Sequence, residues 1–431
     1  MDKIKIRHLV VIVLWSMLSC ILPKWSKGEN ILSHETVVAD TLSQPVRHTI
    51  SLLVVPSLEE HIWTIYGHAA VRVVSSDGQD RVYNWGIFDF EAPGFIPRFV
   101  AGTSTDYMLA EQPTEQYIYN YTSDGCEVSE LVLNLSQEEA EHFLSLVEEN
   151  LKPGNRFYHY DFVFDNCATR PIVLLEKSLQ GRLILPQNTP TTTRRTMVDQ
   201  SSKQRPWLKF GTDMVLGKPA DTPIEAHDQL FLPIYMRNII REAQFEDTAG
   251  NVRQAVIAEQ TYPQLKEQEP LKSTPWVFQP FAVCLYLLLI TLIGALTARG
   301  KAYFMRTWSA IMLGVMGLAG CLTFFLTVIS LHPLTAPNWT LVSIHPLHFF
   351  LGLPLLLFFR NSLVAHLYHY INILLQLLFL LVLSWSTGQH FSPSLYMLSA
   401  ALLLISFWVS RYNKLLPRTT PRLRIKKQQY A

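Results

Sequence analysis

Five apolar runs of membrane-crossing length fill the second part of the chain, and they limit its possible folds more than any other feature. They lie at about Trp276–Thr297, Trp308–Leu331, Leu341–Phe359, Leu367–Trp385 and Pro393–Val409. A helix needs about 20 apolar residues to cross the hydrocarbon core, and within lipid a helix satisfies its own backbone. The connections alternate in charge. The first carries Arg299, Lys301 and Arg306, the third carries Arg360, and the tail carries seven basic residues from Arg411 to Lys427. The second and fourth, residues 332–340 and 386–392, carry no Lys or Arg. Positive charge stays on the cytoplasmic side, so this alternation predicts a cytoplasmic tail, 411–431, and an external residue 275.

The N-terminus points the same way. Residues 1–28 begin with Lys3, Lys5 and Arg7 and continue into the short apolar run Leu9–Leu22. That is the pattern of a secretory signal or an N-terminal anchor. Two separate signals therefore predict an extracytoplasmic domain between residue 29 and the spans at 275–410. The whole chain has 36 Lys+Arg against 35 Asp+Glu, a net charge of +1. No electrostatic footprint for nucleic acid is present. Only 16% of its residues are charged, against about 25% in soluble domains.

The external part reads as α+β. Thr49–Val55 is a β-branched strand, and His68–Val74 and Arg81–Trp85 form a hairpin around Asp77-Gly78. Val128–Leu135 is a further strand. Ser136 opens a helix to Leu151 with Glu139 at the capping-box position. Residues 29–185 carry these elements. Residues 186–274, rich in Thr, Pro and Gln, read as an irregular extension and linker, with 231–240 packed back on the domain.

Two stretches bear chemistry. In one, His68 stands at a strand start within Tyr66-Gly67-His68-Ala69-Ala70; in the other, Cys167 stands at the mouth of a helix within Asp165-Asn166-Cys167-Ala168-Thr169-Arg170. The thiolate is the nucleophile, and a neighbouring imidazole and a helix N-terminus lower a thiol pKa. The imidazole then moves protons, held by a third group. Asn84 and Asp89 are the candidates for that group. A two-residue Asp77-Gly78 turn puts Asp89 on the face of His68, and one additional loop residue puts Asn84 there instead. Asn166, Tyr66 and Arg170 are candidate supporting residues. Arg170 either binds phosphate or pairs with Asp161 or Asp165. Pro171 must either open the helix or kink it. The rival to catalysis is a Cys126–Cys167 disulfide. No metal motif, P-loop or GxSxG elbow occurs.

The runs YGHAAVRV, YNWGIFDF with a following PRFVAG, and YHYDFVFDNCATR, then PWL, GTDMVLG, Asp221 and FLP, resemble the Lnb-type N-terminal periplasmic domain over about residues 45–240. The multi-span half resembles the rest of that family. The resemblance implies a permuted NlpC/P60, papain-like fold with His before Cys. It also implies a lipoprotein N-acyltransferase of the bacterial inner membrane, with its thiol domain in the periplasm. Its acyl donor would be a membrane phospholipid and its acceptors diacylated lipoproteins, with no cofactor. Cys167 would be the nucleophile and His68 its base. A cell-wall amidase or endopeptidase, or a phospholipase, would use the same pair.

Further candidates concern lipid. Phe95 and Phe99 sit in an aromatic stretch that either dips into the bilayer or belongs to the core. Asn338, Trp339, His345 and His348 are candidates to hold a headgroup, though Trp and His are also ordinary interfacial residues.

Overall fold

The computed structural model describes residues 46–56, 65–267, 272–297 and 302–412. The signal-like segment 1–28 and nearly all of the basic tail lie outside the described residues.

Among the described residues, seven antiparallel strands form the main sheet, in the order β12 (Val256–Tyr262), β5 (Val128–Leu133), β1 (His48–Val55), β2 (His68–Ser75), β3 (Asp80–Ile87), β4 (Tyr107–Pro113) and β6 (Phe157–Tyr158). β1 (His48–Val55) is buried at every position from Ile50 onward. Its unbroken apolar run fits a strand covered on both faces. On one face Leu52, Val54, Val71 and Trp85 meet Phe143 and Val147 of α3 (Gln137–Leu151), Ile172 and Leu175 of α4 (Thr169–Ser178) and Met236 of α7 (Pro233–Glu242). On the other, Leu53, Val55, Ala70 and Val82 meet Tyr117 of α2 (Thr114–Ser123). The Ser136–Glu139 capping box opens α3 as the sequence predicts. α4 begins at Thr169 with Pro171 in its first turn, where the missing N–H has no partner to lose.

The hairpin of β2 (His68–Ser75) and β3 (Asp80–Ile87) differs from the two-residue expectation. Ser75 N donates to Gln79 O at 2.8 Å, so the loop is the three residues 76–78. Val71 therefore pairs with Tyr83 and Arg72 with Val82. This register puts Asn84 on the face of His68.

The stretch read as an irregular extension is structured. It contains α5 (Arg194–Ser201), α6 (Pro206–Val215) and α7, then β10 (Gln244–Asp247), β11 (Val252–Gln254) and β12 (Val256–Tyr262). β12 adds to the edge of the main sheet beside β5. Its side chains are largely exposed, so its pairing rests on the backbone ladder and leaves little hydrophobic pattern to read.

Among the described residues, five helices are long and apolar enough to cross a membrane: α8 (Pro280–Thr297), α9 (Ala302–Ile329), α10 (Thr340–Phe358), α11 (Leu363–Ser386) and α12 (Pro393–Arg411). Gln376 of α11 sits at the centre of a buried polar network. It accepts from Ser343 Oγ and Ser399 Oγ at 2.8 and 2.6 Å and donates to Ser343 O and Asn372 Oδ1. Such side-chain bonds hold helices together where the hydrophobic effect has little to offer.

The α+β domain sits on the end of the bundle whose loops lack Lys and Arg. Asn338 Nδ2 donates to Met214 O and Val215 O, and Gly217 N donates to Leu334 O at 2.8 Å. Phe210 and Met214 of α6 pack on the bundle core. Behind this seam lies Arg195, 2% exposed, paired with Asp221 at 2.8 Å and Asp213 at 3.4 Å and bonded to the carbonyls of Asp213, Leu216 and Gly217. Arg195→Met would leave Asp221 without its cation and Asp213 with Lys209 alone, at a cost of about 3–5 kcal/mol. We expect a clear fall in the melting temperature of the detergent-solubilised chain, which Arg195→Lys does not restore because an ammonium lacks the planar fork. An unchanged melt contradicts this role.

Candidate active site

Cys167 lies on the turn before α4 and is 8% exposed. Asn166 fixes that turn. Its Oδ1 accepts from the amides of Ala168 and Thr169 at 2.8 and 2.9 Å, and its Nδ2 donates to Phe162 O and Phe231 O. The side chain thus caps the helix and ties it to the segment before α7.

His68, the first residue of β2, stands close enough to Cys167 for each to feel the other's charge. Its ring is held by Asn84, whose Oδ1 accepts from Nε2 at 2.6 Å. Nδ1 is therefore the nitrogen left for proton exchange with the thiol. Tyr121 stacks beside the imidazole with centroids 6.1 Å apart. Asp89, the other candidate, is exposed and caps its own turn by accepting from Glu91 N at 2.9 Å.

The electrostatics of the pair are reciprocal. Burial opposes ionisation of the Cys167 thiol. The His68 imidazole and the amides of Ala69 and Cys167 outweigh it, and the thiol pKa lies below its usual range. Burial likewise opposes a charged His68, but the Cys167 sulfur and Asn84 outweigh it and raise the imidazole. The thiol is thus easier to ionise, and the imidazole easier to protonate, than burial alone would allow.

β3 leaves a gap over the sulfur. At the bulge after Trp85 stands Gly86, with φ 91°. A Cβ there would lie 3.8 Å from Cys167 Cβ and 3.9 Å from the Tyr158 hydroxyl. That hydroxyl is buried and has no hydrogen-bond partner among the described residues. Burial and the nearby thiol push its pKa upward, so it remains an O–H donor. Arg170 lies 3.5 Å over the Tyr158 ring, locked by Asp165 at 2.5 and 2.8 Å. Of the two fates the sequence allows Arg170, the carboxylate partner is the one observed. Tyr158 and Tyr121 escaped the sequence reading because only the folded sheet brings them to the thiol.

The remaining candidates lie elsewhere. Tyr66 packs edge-on against Phe162, centroids 4.9 Å apart. Phe95 is in the core, 4% exposed, whereas Phe99 is 43% exposed. Asn338 is consumed by the seam, and Trp339 beside it bonds Gln389 through its amide. His345 and His348 are buried inside the bundle and stacked at 3.9 Å, with His348 bonded to Tyr368 and Ser343 O. No disulfide joins Cys126 and Cys167.

A lowered thiol pKa has a direct reading. Iodoacetamide should alkylate Cys167 at neutral pH faster than a free thiol of pKa about 8.5. The rate should hold as pH falls, until it passes the lowered thiol pKa. His68→Ala removes the opposing charge and leaves only burial, so alkylation at neutral pH should slow by about tenfold or more. Equal rates in the two proteins would exclude the ion pair.

Residues 42–200 match the family model described as the Lnb N-terminal periplasmic domain, and residues 272–415 match that of the Lnb transmembrane domain. No curated protein and no solved structure matches the chain. The first match contains His68, Asn84, Tyr158 and Cys167, and the second spans all five apolar helices. With both domains present in this order, the chain belongs to the Lnb family of membrane proteins.

Proposed function

We propose that this protein is a lipoprotein N-acyltransferase that works through an acyl thioester on Cys167. The observation that carries this reading is the Cys167–His68–Asn84 chain, held on a domain bonded directly to the loops of five membrane helices. A thiol whose pKa is lowered by a neighbouring imidazole is suited to attack an ester, and a membrane seat is suited to an ester that resides in lipid. The domain would lie on the periplasmic side, with the basic tail in the cytoplasm.

In the first half-reaction, the Cys167 thiolate attacks the acyl carbonyl carbon of a glycerophospholipid. A carbon–sulfur bond forms and the carbonyl oxygen takes the negative charge. The Tyr158 hydroxyl, buried without another partner among the described residues, and the amide of Cys167 would donate to that oxyanion. As the intermediate collapses, the ester carbon–oxygen bond breaks. The His68 imidazolium gives its proton to the departing lysophospholipid alkoxide. In the second, the neutral α-amine of a diacylglyceryl-cysteine lipoprotein attacks the thioester. His68 takes the amine proton, an amide forms and the thiolate returns. Asn84 positions His68 throughout by holding Nε2 and leaving Nδ1 to the sulfur.

The test is mass spectrometry of the full chain purified from membranes and incubated with phospholipid. One acyl group should appear on the Cys167 peptide, be removed by hydroxylamine and be absent from Cys167→Ala. Adding a diacylglyceryl-cysteine peptide should discharge it into an N-acyl amide. No adduct on an alkylatable Cys167 would refute the thioester. Discharge to water alone would make the protein a lipid hydrolase. Tyr158→Phe should slow adduct formation by about a hundredfold, the usual loss for one oxyanion donor, with alkylation unchanged. Adduct formation at the wild-type rate would remove Tyr158 from the mechanism.

A further inference from the structure

Between β3 and β4 (Tyr107–Pro113) lies a short helix, α1 (Phe95–Ala101), of sequence FIPRFVA. Its attachment to the bundle is direct. Leu331 N donates to Ala101 O at 2.9 Å, His332 Nε2 bonds Phe99 O at 2.9 Å, and α1 packs on the last turn of α9, residues 325–329. The contact is close enough that a Cβ at Gly102 would stand 3.0 Å from His332 N.

The surface of α1 continues the lipid-facing side of α9. Val328, Ile329 and Leu331 are 60, 57 and 65% exposed, and Ile96 and Phe99 are 49 and 43% exposed beside them. The one charged residue of the helix, Arg98, is held by its neighbours. It donates to Pro93 O at 2.6 Å and pairs with Asp106. What remains outward is apolar, at the height where the span ends.

Inward, α1 opens on a row of rings that leads to the thiol. Phe99 meets Phe95 at 6.1 Å, Phe95 meets Phe88 at 5.0 Å, Phe88 meets Tyr107 at 5.0 Å and Tyr107 meets Tyr160 at 4.3 Å. Tyr160 leads straight into the Asp161–Asp165 bridge that carries the Cys167 turn, and burial, followed by the nearby sulfur, raises its hydroxyl pKa. The backbone reinforces this link, since His159 Nε2 bonds Gly102 O at 2.7 Å and Tyr160 N donates to Ser104 O.

We infer that α1 is the port through which the donor lipid reaches the thiol: the Ile96 and Phe99 edge takes an acyl chain of a glycerophospholipid from the adjacent leaflet, and the aromatic row carries its ester toward Cys167. This rests on the reading of Cys167 as the acceptor of a lipid acyl group. The occupant is a membrane phospholipid because the apolar edge of α1 is continuous with that of a membrane span and its only charge is neutralised internally.

The test uses full-length Cys167→Ala protein in phosphatidylethanolamine vesicles that contain a phospholipid with a diazirine in its acyl chain. Irradiation should label residues 95–101. Phe99→Asp should lower that label by about tenfold relative to the label on the spans in the same sample, since a carboxylate opposes apolar contact. Tyr119→Asp, an exposed substitution on α2, should leave it unchanged. Label confined to the spans, or label on 95–101 from a diazirine-bearing diacylglyceryl-cysteine peptide but not from phospholipid, would overturn the assignment. If 95–101 are labelled and the wild-type chain shows no acyl adduct on Cys167, the lipid port stands and the thioester reading falls.

Discussion

A buried guanidinium holds the two halves of this protein in register. Arg195 is paired with two carboxylates and three carbonyls, all of them in residues 213–221. That segment is also the seam with the membrane bundle. Asp221 Oδ2, which accepts from Arg195, also accepts from His390 N at 3.1 Å. Leu216 O accepts from Arg195 and from Gln389. A buried ion pair contributes little net stability, yet removing one partner is costly. Its value here is geometric. It fixes the height of the α+β domain above the spans, as the proposed reaction with membrane lipid would require.

The thiol has a similar logic on a smaller scale. Cys167 is too buried to ionise by itself, and the groups that reverse this come from three places in the chain. His68 and the Ala69 amide come from β2, Asn84 from β3 and the Asn166 cap from the turn itself. Sheet register therefore controls reactivity. A slip of one residue between β2 and β3 would turn Asn84 away from His68 and leave Nε2 without its acceptor. Arg72 guards against the slip on the same face, through Asp80 at 2.6 Å and Glu130 at 2.9 Å.

How much of this was legible follows from what each feature depends on. The five spans and the strand β1 were plain, because both are written in hydropathy alone. The capped helix α3 was plain, because its signal is local. His68 and Cys167 stood out because their neighbours in sequence are the strand and the turn that hold them. The choice between Asn84 and Asp89 depended on one loop residue, and Ser75 N reaching Gln79 O decides it. β12 was hidden because an exposed edge strand need not alternate. His345 and His348 were read as interfacial because they sit near a span end, but Gly317 and Gly320 let α9 approach so closely that both imidazoles are enclosed.

That close approach bears on the division of labour between the halves. A Cβ at Gly320 would stand 2.5 Å from the carbonyl carbon of His345, so α9 and α10 meet backbone to backbone. α9 is also the span whose end carries α1. Around it, the Gln376, Asn372 and Ser406 bonds join α10, α11 and α12 across the bundle interior. Polar groups so placed resist sliding, because each would lose its partner in a medium that offers no replacement. The bundle thus behaves as a stiff base, and α1 and the seam inherit its rigidity. Under the proposed reaction, access of lipid to the thiol would then fall to side chains at the edge of α1 rather than to movement of the domain.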